Sequence, residues 1–439
     1  MNKKEVLILG AGLTGLSAGW CYGKGAVILE KESRPGGLVR TEKIGSYFFD
    51  QVPHILYFHD ATIQDRIIQL LGGDLVSCIL EAYVDTDYGI SRYPIQNHLV
   101  DLENSMIQKI LVDLAKLSYE PNHNNIENYH DFLLQNFGEN LFKIFFEPYN
   151  KKMWKRDLKE IVPNNISWNI NRPNFPEILA GALNSTSSTN AYNSIGWFPN
   201  PKLESPVRGM EVLSVAIANK CHDIRLNSEI ISIDLKCKEI IVLENNESER
   251  VYHYDQYCLS SLPLPVLIKK TKNVPDFLKK QVETLKHNNV LILGIALEGI
   301  RPNLGHCRYY PNLDLIFTRL TFPYRFDPNL APVNGWSILV EIPISSKQPK
   351  PNLNELLEKI KKDLKKVGIL QETIVDHIWI ESNPAYVIFE KGQDEIIKNA
   401  RSYYSVQGIT SLGRYGKWGY TSMEDAIKDG LNWAEKIKK

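Results

Sequence analysis

Apolar and polar positions alternate in blocks whose lengths predict an α/β chain. Lys4 to Leu9 (KEVLIL) is an apolar run that breaks at Gly10-Ala11-Gly12-Leu13-Thr14-Gly15. Leu16 to Tyr22 then predicts a helix, and Ala26 to Glu30 (AVILE) a second strand that ends in a carboxylate. From about 95 to 190 the chain reads as mainly helical, with one-sided apolar spacing over Leu99 to Leu117 and Tyr129 to Phe137. Asn184 to Asn193, rich in Ser, Thr and Asn, predicts a loop. Beyond Arg208-Gly209-Met210 a helix is expected over Glu211 to Asn219, followed by short strands at Ile224 to Asn227, Glu229 to Leu235, Glu239 to Leu243 and Tyr254 to Ser261. Asn289 to Glu298, Asp314 to Leu320 and Trp336 to Ile342 predict longer sheet strands. Asn354 to Lys366 reads as an amphipathic helix, and Met423 to Ile437 as the last one.

These blocks predict a discontinuous Rossmann-type nucleotide-binding unit assembled from 1–90, 205–260 and 405–439. Residues 91–204 would form a helical insert and 261–404 an antiparallel-sheet unit, with a site at the seam between them. At 439 residues the chain can build two or three packed units. Lys plus Arg and Asp plus Glu balance at 51 each, so bulk charge makes no case for nucleic acid or an anionic membrane surface. No apolar run reaches bilayer length, and the glycine turn starts too close to Met1 for a signal peptide, so a cytoplasmic protein without a membrane span is expected. The six cysteines are scattered without CxxC spacing, which predicts neither a disulfide framework nor a metal site.

The glycine spacing has a physical reading. Gly10 permits a tight turn, Gly12 lets the backbone approach a pyrophosphate, and Gly15 lets helix and strand pack closely. The helix N-terminus then offers free N–H groups to phosphate, and Glu30 is placed to accept from a ribose. Gly36-Gly37 follows soon after the second strand. It could be an ordinary turn, but it also resembles the second pyrophosphate-binding turn of the FAD-containing amine oxidase superfamily. Together the two turns point to FAD over a nicotinamide. His54, in Phe49 to Tyr57, is either a core histidine or a neighbour of the flavin. Tyr309 precedes Arg319 by ten residues, and Gly413 to Tyr420 (GRYGKWGY) carries Arg414. Arg172 stands one helical turn beyond Trp168 if that segment is helical. Singly, Arg172, Arg319 and Arg414 could each be a surface ion-pair partner; together with tyrosines they are what a diphosphate beside a flavin needs.

In patches over nearly its whole length the chain resembles the UDP-galactopyranose mutases, and their eukaryotic-type branch most. The patches are the glycine turns, PHILYF around His54, YPIQN at 93–97, PYNKKMW at 148–154, the Tyr309 to Arg319 spacing, Asn383 to Tyr386, and GRYGKWGY. The resemblance implies bound FAD, active when reduced, held by Gly10, Gly12, Gly15, Glu30, Arg34, Gly36, Gly37, Leu38, His54, Ile230, Gly413, Tyr420 and Met423. It implies that Tyr93 and Gln96 hold the base of a nucleotide-diphosphate sugar. Arg172, Tyr309, Arg319, Tyr386, Arg414 and Tyr420 would contact the rest of that substrate, with His54, Arg319 and Arg414 catalytic. The implied reaction interconverts pyranose and furanose forms through an adduct between the sugar and the reduced flavin N5. NADPH is compatible as reductant, although no separate nicotinamide motif is visible, and homo-oligomer formation stays open. A flavin oxidase or desaturase of the same superfamily is the alternative, and would need an apolar or aromatic-caged pocket. The chain departs from the family at Ile95, where an aromatic is expected, at Phe326 for a tyrosine, at Glu424, at Arg208-Gly209-Met210 for a glycine pair, and at Val52-Pro53 before His54.

Overall fold

A computed structural model describes residues 5–119, 126–163, 170, 174–183, 195–371 and 373–438. The loop expected at Asn184 to Asn193, and Trp168 with Arg172, lie outside the described residues. The chain opens as its pattern predicts: strand Val6–Leu9, helix Leu13–Tyr22, strand Ala26–Leu29. Both strands are buried along their length, as in a parallel sheet covered on both faces. They pair in parallel with each other, and three late strands join them: Asp223–Arg225, Cys258–Ser260 and Ile409–Ser411. Segments four hundred residues apart thus complete one five-stranded parallel sheet. The final helix, Met423–Lys438, packs on the first so tightly that a Cβ on Gly430 would stand 2.2 Å from the Thr14 carbonyl oxygen.

A second, seven-stranded sheet is built around the long strands Lys286–Glu298 and Gly335–Ser345, both largely buried, and Ile374–Ile388, buried mainly in its second half. Most of its pairs are antiparallel, but Cys307–Tyr309 runs parallel to Ala82–Thr86. Ala82–Thr86 and Gly89–Arg92, expected within the nucleotide-binding unit, therefore extend this other sheet. Two further expectations need correction. The apolar stretch from Asp314 forms a loop until the short strand Arg319–Thr321; side chains tie its backbone at Ile316 and Phe317, and it meets the strand Gly335–Ser345 only from the Thr318 amide onward. Leu99 to Leu117 divides into a short 3-10 turn, Leu99–Asp101, and the helix Asn104–Tyr119.

Between the sheets lie Asn104–Tyr119, Tyr129–Leu141, Glu147–Trp154 and Phe175–Leu183, whose apolar faces form a core with Phe132, Phe137, Phe145 and Trp154. All six cysteines are free. Among the described residues there is no group of side chains that could hold a metal, and no helix long and apolar enough to cross a membrane.

Candidate functional site

A cavity of about 770 Å³ runs from the first glycine turn to the start of the last helix. At one end, Gly10 (φ +100°) turns the chain and Gly15 sits beneath it, where a Cβ would stand 1.9 Å from the Gly10 carbonyl oxygen. Gly12 is different: a Cβ there would meet nothing within 4 Å and would project into open space at the start of Leu13–Tyr22, a helix with no side-chain cap. The second turn closes on the first. The Gly36 amide donates to the Ala11 carbonyl (2.8 Å), and Gly12 and Gly36 pair as an isolated bridge. Gly36 (φ +126°) and Gly37 (φ +58°) both occupy backbone conformations that favour glycine. Glu30 accepts from the Ala11 amide (2.7 Å) and the Glu32 amide (3.1 Å), and it lines the cavity with Gly36, Gly37, Leu38 and Ile230. An open glycine cradle, uncapped helix amides and a facing carboxylate fit a dinucleotide.

At the other end stand His54, Tyr386, Gly413, Arg414, Tyr420 and Met423. Gly413 (φ +77°) lies so close to the first helix that a Cβ would be 2.7 Å from Thr14 Oγ1. The Arg414 guanidinium lies 4.7 Å from the Tyr420 ring centroid and donates to the Thr421 carbonyl (3.4 Å). Among the described residues no carboxylate pairs with it. The phenols are oriented by backbone: Tyr420 donates to the Val387 carbonyl (3.2 Å) and Tyr415 to that of Ala385 (3.1 Å). Trp154 packs edge-on against both Tyr386 (6.1 Å) and Tyr420 (6.2 Å). Ser422 and Asp425 cap the last helix reciprocally beside Met423. His54 Nδ1 is buried without a hydrogen-bond partner among the described residues. Burial, then the charges of Arg414 and Arg319, lower the His54 imidazole to about 4, so it is neutral at physiological pH.

Arg319 does not line the cavity. Its Nε donates to Glu341, a buried carboxylate that does, so the guanidinium stands directly behind that wall. Tyr386 lies between the two arginine charges, and burial with the nearby Glu341 raises its phenol to about 12. Behind Arg319 is an aromatic stack: Tyr93 on Tyr309 (4.8 Å), with Tyr149 edge-on to Tyr309 (5.7 Å). Tyr93 is 40% exposed and, like Tyr309, is not part of the cavity lining. Gln96 is buried outside the cavity lining.

Arg34 is not brought to the cavity. It donates to Glu211 (2.8 Å) and pairs with Glu42 (2.5 Å), tying the second glycine turn to the helix Glu211–Ala218. Glu341 and Tyr149 were missed as site residues. The available signals were a lone acid inside the apolar run Trp336 to Ile342, and a tyrosine inside the already singled-out PYNKKMW.

The departures resolve locally. Ile95 is fully buried in the helical core and cannot be a stacking platform. Phe326 stacks on Phe198 (5.1 Å) and His306 (4.7 Å), and neighbouring Tyr324 donates to the Pro302 carbonyl, so neither faces the cavity. Glu424 is buried and accepts from the His59 and Asp60 amides, fastening the last helix to the segment after His54. In Arg208-Gly209-Met210 the arginine pairs with buried Asp327 (3.0 Å), and a Cβ on Gly209 would be 2.3 Å from Asp50 Oδ1.

Solved structures share this architecture. A reduced UDP-galactopyranose mutase superposes with a TM-score of 0.91 at 20% identity, over all of this chain and 94% of that one. A fatty acid isomerase from P. acnes, producing CLA, gives 0.64 at 12% identity, over 100% and 99%. A putrescine oxidase redesigned in its cofactor binding gives 0.64 at 14%, over 99% of each chain. At such identities the likeness is one of fold. The model of the family described as flavin containing amine oxidoreductase matches residues 13–438, nearly the full length, and the chain belongs to that family.

Proposed function

We propose that this protein is an FAD-dependent nucleotide-sugar mutase that interconverts pyranose and furanose forms, with UDP-galactopyranose as the first substrate to test. One observation carries the reading. A dinucleotide cradle and an arginine–tyrosine cluster open onto one cavity, and Arg414 has no carboxylate partner among the described residues. A polyene or an aliphatic amine offers no anion to a guanidinium facing the pocket without a counter-charge, whereas a diphosphate does. The resemblance of the sequence patches and the fold likeness to a mutase support the same reading.

In this reading Gly10, Gly12, Gly36, Gly37 and Glu30 hold the adenosine diphosphate half of FAD. His54, Gly413, Tyr420 and Met423 surround its ring. When bound and reduced, the cofactor supplies an electron-rich nucleophilic centre beside the sugar. The protein's own work is electrostatic and steric. Arg414 neutralises the departing diphosphate, and Tyr386 can donate to it without adding charge, since its phenol stays protonated at neutral pH. Arg319 adds positive potential from behind Glu341, and partly exposed Tyr93 meets the base beyond the cavity lining. Neutral His54 takes no proton at working pH and fills the wall beside the ring. The nucleotide-binding unit then comprises 1–81, 205–260 and 405–439, with the strands from 82 to 92 on the substrate side.

The test is to reduce the flavin anaerobically with dithionite and incubate the protein with a panel of nucleotide-sugars. Ring-form interconversion is expected only with reduced protein. Oxygen-dependent turnover of an amine, with no interconversion, would establish the oxidase alternative.

A further inference from the structure

Lys152 is buried, on the helix Glu147–Trp154, and its ammonium donates to three backbone carbonyls: Tyr310 (2.9 Å), Asn312 (2.8 Å) and Phe317 (2.5 Å). All three belong to the loop that leaves Tyr309 and returns to Arg319. An ammonium has three N–H donors, and here each finds one carbonyl. The loop's amide side is held separately, where Asp363 of the helix Leu353–Lys366 accepts from the Ile316 amide (2.9 Å). The lysine's own helix also places Tyr149 against Tyr309 and Trp154 against Tyr386 and Tyr420.

We infer that Lys152 is a positioning residue: it clamps the loop from Tyr310 to Thr318 and so fixes Tyr309 and Arg319 behind the Glu341 wall of the candidate substrate site. This rests on the nucleotide-sugar reading above. An apolar side chain at 152 would leave three buried carbonyls without a donor, and the loop would open to recover water. The clamp needs the charged form, because a neutral amine has two donors and would turn a lone pair toward the third carbonyl. Burial lowers the ammonium to about 7; Lys155 at the same helix end pushes it down further and Asp363 pushes it up. The loop's own ionisable side chains are Tyr310 and Asp314, the latter paired with Lys366 (3.7 Å).

The experiment compares FAD-loaded wild type with Lys152→Met. Hydrogen exchange over residues 310–318 is measured together with binding of UDP-galactopyranose to the oxidised protein across pH. The diphosphate of that probe has no proton to lose near neutrality. In Lys152→Met, exchange in the loop is expected to rise about tenfold and affinity to fall about tenfold, with FAD content unchanged. Wild-type affinity should fall as pH rises through about 7, and this step should be absent from the variant. Any contribution from Asp50, also raised to about 7, is common to both proteins. Unchanged loop exchange overturns the clamp. A looser loop with unchanged affinity overturns the positioning role. A loosened loop with no binding even to wild type refutes the nucleotide-sugar reading, and the role of Lys152 with it. If Lys152→Met does not fold, Lys152→Gln keeps two donors on a shorter stem and should lose the pH step while retaining part of the affinity.

Discussion

Arg319 and Glu341 face each other across neighbouring strands, the arginine Nε bonded to a carboxylate that itself lines the cavity. The pair holds a guanidinium next to a binding wall without exposing it fully. Truncation to Glu341→Ala leaves Arg319 without its counter-charge in a largely desolvated place. A loss of about 2–4 kcal/mol in urea denaturation is expected, with weaker binding of a nucleotide-sugar. Stability and binding both at the wild-type level would show that the pair is not a determinant of the site.

The second and third glycines of the first turn separate folding from cofactor retention. Gly15→Ala drives a methyl into the Gly10 carbonyl, 1.9 Å away, and should cost about 3 kcal/mol or more. Gly12→Ala meets no protein atom within 4 Å and should cost the flavin-free protein only about 0.5 kcal/mol. The same methyl projects into the cradle, so flavin absorbance after purification should be largely lost. Full flavin retention in Gly12→Ala would place the dinucleotide elsewhere.

Arg414→Ala removes a guanidinium whose protein contacts are two aromatic rings and one long carbonyl bond. Stability should fall by only about 1 kcal/mol and FAD should remain bound. Turnover of a nucleotide-sugar should drop at least about 100-fold, because charge stabilisation of the leaving group is lost. Loss of FAD together with activity would make Arg414 structural.

His54 sets an acid-side dependence of stability. An unfolded imidazole takes its proton near about 6.5, the folded one only near about 4. Between these values the unfolded chain binds more protons, so stability is full above the window and falls as pH drops through it. Asp50, raised to about 7 by burial, acts in the opposite sense and is common to wild type and variant. Wild type should therefore lose more stability than His54→Gln between pH 7 and pH 5, measured by urea midpoints. Equal losses would mean that the folded imidazole titrates near its ordinary value.

What was legible in the chain follows the range of the forces involved. The strands Val6–Leu9 and Ala26–Leu29 with the helix between them match their pattern closely, because a βαβ start is specified by neighbouring residues. The stretch from Asp314 misled, since apolar residues there are buried by a loop tied to Lys152 and Asp363, partners invisible to a local reading. Arg34 misled for the same reason: Glu211 claims it from 177 positions away.

The sequence by itself determined the dinucleotide cradle, since Gly10, Gly12, Gly15, Gly36 and Gly37 act through their own backbone freedom and absent side chains. It also named arginines and tyrosines of the right chemistry. Tertiary structure alone decided which of them face the cavity. Among Arg34, Arg319 and Arg414, only Arg414 is left without a carboxylate partner among the described residues, while Arg319 is held behind Glu341 and Arg34 is spent on Glu42 and Glu211. Charge pairing is settled by which groups the fold brings within about 4 Å, and no local pattern carries that information.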